Sequence, residues 1–250
     1  MAERIDLFRR ALAGATRAIA RDAEADVVLA SDSGMGSGKT ARVPSPGPSL
    51  ERGLVAEARG AADSVALRLR LHDSLLHNRN APADAEARAV FDALETARFE
   101  ALGSRNWGGI SQNLDRLAEA RVRGDAITRA RNAEEVPLAT AIGLIARERL
   151  TGKAPPAPAR AGLDLVAADI EAKGAAELDA LALTIDDQAA FAKVARLLIE
   201  DLGLAPAQDE SDEADEGGDG RLARPWWPPK NYRIQLPFLK HAREGLSRTN

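Results

Sequence analysis

Apolar positions recur at spacings of three and four along most of this chain, the period of helices with one buried face. Over residues 3–22, Ile5, Phe8, Leu12, Ala15 and Ile19 make a single stripe and predict a helix. Over residues 61–78 the pattern widens. Val65, Leu69, His72 and Leu76 share one face, and Leu67, Leu71 and Leu75 form a second stripe. A helix apolar over so wide an arc is buried against several neighbours. Arg68 falls between the two stripes, as a partly buried charge that needs a carboxylate partner.

Asn80-Ala81-Pro82 ends that helix, and Asp84 and Glu86 follow as an N-terminal signature for the next one, which runs to about residue 102. Ala87, Val90, Phe91, Leu94, Ala97 and Ala101 form its core face, with Glu95, Arg98 and Glu100 beside or opposite it and Gly103 as the expected C-cap. Two long helices with a short connection pack as antiparallel neighbours. Glu95 or Glu100 is then the expected partner of Arg68. Shorter helices are predicted over 111–121 and 137–150, with polar, irregular chain between them. A long helical stretch follows over 160–201, with breaks at Gly174 and at the capping-box-like 184–187.

Two stretches depart from this period. Residues 27–30 are β-like, and 27–29 with 42–43 predict a small hairpin across the loop SDSGMGSGKT. Its Gly38-Lys39-Thr40 resembles the end of a phosphate-binding loop. That motif needs a glycine where Ser33 stands and a helix starting at the Lys-Thr, which Pro44, Pro46 and Pro48 oppose. A flexible Gly/Ser loop is the reading we adopt. At the other end, residues 208–220 carry seven acids and no base, the composition of a disordered linker. Residues 221–250 then turn basic, aromatic and proline-rich. The fold class is therefore mostly α. We expect a helical domain over 1–202, an acidic linker over 203–220 and an irregular tail over 221–250.

Composition narrows the chemistry. Aromatic residues make up 4% of the 250, and alanine supplies much of the 45% apolar content. The net charge of -4 gives no sign of a nucleic-acid binder. The absence of cysteine removes disulfides, thiolate zinc sites and a cysteine nucleophile. No signal peptide or membrane span is read, which predicts a cytoplasmic protein. His72 and His77 are five residues apart, about 140° round a continuous helix. On such a helix they cannot serve one metal, so His72 reads as a core histidine and His77 as a solvated or capping one. His241 lies in the tail. No catalytic, cofactor-binding or metal-binding residue is predicted. Arg68, His72, Glu95, Arg98 and Glu100 are expected to form a structural polar seam.

Several ordered segments nevertheless resemble one family. They are MAERIDLFRRA, RGAADSVALRLRLHDSLLH, the proline at 82, ARAVFDALETARFEALGSR, GGISQNL and ARERLTGKAPP. Over residues 1–202 the chain resembles the N-terminal region of CobT, a subunit of the aerobic, ATP-dependent cobaltochelatase. The resemblance implies a non-catalytic coupling subunit in cobalamin biosynthesis. Its implied partners are a CobS-type AAA+ ATPase and a CobN-type large subunit, with self-association into a homo-oligomer. The complex would use ATP, Mg and Co to insert Co2+ into hydrogenobyrinic acid a,c-diamide, with no cofactor bound by this chain. The family continues after its acidic linker into a von Willebrand A domain, which residues 221–250 do not resemble, as expected of a truncated or frame-shifted copy. The alternative reading is a stand-alone helical interaction module or degenerate paralogue without a chelatase role.

Overall fold

The computed structural model describes residues 2–204, which fold as nine α-helices and one three-stranded sheet. Apart from Gly203 and Leu204, the predicted linker (203–220) and tail (221–250) lie outside the described residues. The first helix, α1 (Ala2–Ala20), leads into β1 (Asp26–Ala30), β2 (Gly34–Met35) and β3 (Thr40–Pro44). The two predicted β segments do pair, but not as a hairpin. β1 runs parallel to β3, with Val27 opposite Ala41, and β2 is the antiparallel partner of β3. The chain reverses twice because Gly34-Met35 forms an extra short strand on the far side of β3. Thr40 opens this strand and no helix follows Lys39, whose ammonium instead pairs with Asp22 at 2.7 Å and Glu24 at 2.9 Å. The backbone dipole that a phosphate-binding loop requires is therefore missing at this position.

Helices α2 (Arg52–Leu71), α3 (Ser74–Asn80), α4 (Ala85–Asn106) and α5 (Gly108–Arg123) follow. The helix expected over 61–78 is interrupted. His72 adopts extended backbone at φ -116° and ψ 120°, and the Asp73 carboxylate caps α3 by accepting from the N–H groups of Leu75 and Leu76. Asp84 caps α4 in the same way. Gly103 is not a C-cap but an interior residue of α4. Leu67 of α2 packs so closely on it that a Cβ would lie 2.3 Å from the Leu67 side chain.

The remaining helices are α6 (Leu138–Thr151), α7 (Arg160–Asp164), α8 (Ala167–Leu183) and α9 (Gln188–Asp201). Gly152, at φ 71°, ends α6 in the left-handed conformation that glycine adopts without a steric cost. Both predicted breaks in the last stretch are present. Gly174 leaves helical geometry inside α8, and Asp187 caps α9 through the Ala189 and Ala190 N–H groups.

Two large apolar clusters result, beside a small one of Ala20, Ala25 and Ala66. One joins α1, the sheet, α2 and α5 through Leu12, Val27, Val43, Val65, Leu114 and Leu117. The larger gathers α4, α6, α8 and α9 through Phe91, Leu94, Ile142, Leu178, Phe191 and Leu198. The α2–α3 break and the middle of α4 lie where the two meet, since Phe99 belongs to the first cluster and Leu94 to the second. No helix of the described residues is long and apolar enough to cross a membrane.

Candidate functional site

The break between α2 and α3 is held open by a buried polar cluster. Because α2 ends at Leu71, its last carbonyls have no partner further along the helix. Arg98, only 2% exposed, reaches across from α4 and donates from Nη2 to the Leu71 carbonyl at 2.6 Å. Its Nη1 donates to the carbonyl of Ile185, in the turn between α8 and α9, at 3.2 Å. Gln188, the first residue of α9, brackets the backbone of Asp73. Its side-chain oxygen accepts from the Asp73 N–H at 2.8 Å, and its amide donates to the Asp73 carbonyl at 3.0 Å. One helix terminus is thus tied to two distant elements.

Glu95 balances the Arg98 charge. Its Oε2 accepts from Arg98 Nε at 2.8 Å and its Oε1 from Nη2 at 2.9 Å. The same Oε1 lies 2.8 Å from Nδ1 of His72. Burial alone would push the Glu95 carboxyl up. The hydrogen bonds and charges of Arg98 and His72 outweigh it and hold the group below its ordinary range. An ionised Glu95 accepts from the Nδ1–H of His72, so in the neutral form of the ring Nε2 carries the lone pair. That Nε2 is buried and meets no hydrogen-bond partner among the described residues.

His77 completes the group. The break turns α3 so that the His77 ring lies 4.8 Å from the His72 ring, centroid to centroid, and edge-on to it. Its side chain is 7% exposed, and its Nε2 lies 2.6 Å from Asp92 Oδ1 of α4. Donor atoms of His72, His77 and Glu95 fall within 4.8 Å of one another. A cleft of ≈ 220 Å³ opens beside them, lined also by Arg68, Ser74, Asn78 and Arg88.

The comparisons with known proteins bear on this unit as a whole. No solved structure matches the chain. A family model described as cobalamin biosynthesis protein CobT matches residues 2–224. The chain belongs to the CobT family. Within CobT, then, this helical unit serves cobalamin biosynthesis, and the match carries the family past the last described residue, through the acidic stretch, to residue 224.

The structure brings together three of the five seam residues expected in this CobT chain, namely His72, Glu95 and Arg98. Glu100 sits elsewhere on α4, where Oε1 accepts from Ser64 Oγ of α2 and from Arg121 of α5 at 2.9 Å. Arg68 is a correction. It is exposed at the lip of the cleft, and both carboxylates proposed for it are engaged by other arginines. The stripe geometry holds for a continuous helix, but only the neighbouring packing decides which arginine is covered, and it covers Arg98. His77 is a second correction. It is buried rather than solvated, and the break cancels the angular separation that set it apart from His72. Asp92 and Gln188 were missed outright. The one available signal was Asp73-Ser74, an N-cap pair in the middle of an apparently continuous helical pattern.

Proposed function

We propose that the chain is a non-catalytic coupling subunit of ATP-dependent cobaltochelatase, acting in the cytoplasm. It would help a CobS-type AAA+ ATPase drive a CobN-type large subunit to insert Co2+ into hydrogenobyrinic acid a,c-diamide. The observation that carries this reading is the CobT family match over residues 2–224. Two features of the fold support it. The Gly38-Lys39-Thr40 segment feeds a strand, with Lys39 engaged by Asp22 and Glu24, so the local geometry favours ATP use by a partner. The polar cluster ties α2, α4 and the start of α9 into one unit, the mechanical property needed to transmit a partner's movement. In this reading Co2+ and the corrin are substrates of the complex, and ATP and Mg belong to the ATPase.

Reconstitution tests it. Purified CobN and CobS, ATP, Mg2+, Co2+ and hydrogenobyrinic acid a,c-diamide are combined with this chain as the only CobT, and the cobalt corrin is followed by its absorbance. Product formation that depends on the chain supports the proposal. Failure of the chain to bind CobS, together with no product, overturns it.

A further inference from the structure

We propose that His72 and His77, braced by Glu95 and Asp92, bind a divalent first-row transition-metal ion at the α2–α3 break. Four observations converge on this. The Nε2 of His72 belongs to a side chain only 3% exposed and has no partner among the described residues. Leaving such an atom unmatched is costly, and a metal ion satisfies a buried imidazole lone pair. The two ring centroids lie 4.8 Å apart. Two imidazoles that share one ion at metal–nitrogen distances near 2.0–2.1 Å have centroids about 5 Å apart, so the rings already stand at the required spacing.

The third observation is the bracing. Each ring already has one nitrogen on a carboxylate, His72 Nδ1 on Glu95 at 2.8 Å and His77 Nε2 on Asp92 at 2.6 Å. A carboxylate on one ring nitrogen fixes the tautomer, raises the basicity of the other nitrogen and orients it toward a metal. Arg98 in turn fixes Glu95. The fourth is access. The cleft bounded by Ser74, Asn78 and Arg88 gives a path for the ion and room for water or another ligand in its open positions. Imidazole nitrogens select Zn2+, Co2+, Ni2+ or Cu2+ over Mg2+ and Ca2+, which take oxygen ligands. The site rests on this geometry and not on a chelatase role.

The test uses the full chain, titrated with Zn2+ by calorimetry and with Co2+ by its visible d–d absorption, with Mg2+ as a control. With no cysteine in the chain, the Co2+ spectrum reports nitrogen and oxygen ligands alone. We expect one Zn2+ or Co2+ per chain and no competition from Mg2+. Binding should weaken as pH falls, because metal binding releases protons. His72→Gln and His77→Gln should abolish it, Glu95→Gln should weaken it at least tenfold, and His241→Ala should leave it intact. Should the core variants fail to fold, the wild-type chain still decides the matter by proton NMR. Zn2+ must shift the ring signals of two histidines and spare the third, which His241→Ala identifies. Absence of Zn2+ and Co2+ binding, ring signals that do not move, or binding retained in both folded histidine variants overturns the proposal.

Discussion

Arg98 grips Glu95 three residues earlier on the same helix with two parallel hydrogen bonds, at 2.8 Å and 2.9 Å, and both side chains are buried. Such a pair at this spacing adds little at a surface. Here it makes the guanidinium available to the Leu71 and Ile185 carbonyls without leaving a bare charge in the core. Removing one partner of a buried ion pair leaves the other uncompensated. Arg98→Ala should therefore cost about 3–5 kcal/mol, measured by urea unfolding. Arg98→Lys should recover only part of it, because an ammonium cannot serve Glu95 and two carbonyls in one planar fork. Equal stability of the alanine variant and the wild type would rule out this account.

The same pair sets a pH dependence at the acid end. The carboxyl of Glu95 lies below its ordinary range in the folded protein, because Arg98 and His72 outweigh the effect of burial. A group with a depressed folded-state value contributes stability that is fully present above its unfolded value, about 4.3. That contribution is lost as pH falls through the folded value. Wild-type stability should drop more steeply between pH 6 and about pH 3 than that of Glu95→Gln. The quantity to measure is the difference between their urea midpoints along that series.

Much of the helix order was legible in the sequence, because each stripe was long and punctuated. α1, α6 and the kink at Gly174 follow from periodicity and glycine placement alone. Glu95 and Arg98 could be placed on one helix near His72. What could not be read was the break at His72-Asp73, since Leu71, Leu75 and Leu76 carry the helical period straight through it. The bonds that fix it come from residues far along the chain, Gln188 being 115 residues from Asp73. The parallel pairing of β1 with β3 escaped for a related reason. A strand of two residues, Gly34-Met35, is too short to leave a pattern.

Asp63 should act in the opposite direction from Glu95. It is 5% exposed, and burial pushes its carboxyl up to about 6 against the pull of a 2.7 Å hydrogen bond from Asn113 and the charge of Arg59. A raised folded-state value means the group favours folding most below its unfolded value near 3.9, and that advantage disappears as pH rises through about 6. At pH 8 the wild type therefore carries a buried ionised carboxylate. Asp63→Asn keeps an oxygen for Asn113 and should be about 2 kcal/mol more stable than the wild type at pH 8. The gain should vanish by about pH 4. A gain independent of pH would show that Asp63 ionisation is not its source.

Glycine-to-alanine changes at two helical positions should shift stability in opposite senses. In a helix interior, alanine is ordinarily favoured over glycine by about 1 kcal/mol. Gly14 in α1 is exposed, and a Cβ there would meet nothing within 4 Å, so Gly14→Ala should stabilise by up to about that amount. Gly60 in α2 is buried against α5. A Cβ on it would lie 2.4 Å from the Asn113 carbonyl oxygen and 2.8 Å from the Leu117 Cβ. Neither atom can swing aside, since one is backbone and the other is the root of its side chain, so α2 and α5 must separate. That movement would pull Asn113 away from Asp63 and disturb Leu114 and Leu117 in the first cluster. Overpacking of this kind costs about 1–3 kcal/mol, more than the helix propensity returns. Thermal unfolding of the two single variants beside the wild type checks both signs. A stabilised Gly60→Ala would mean that α2 and α5 do not approach as closely as this packing requires.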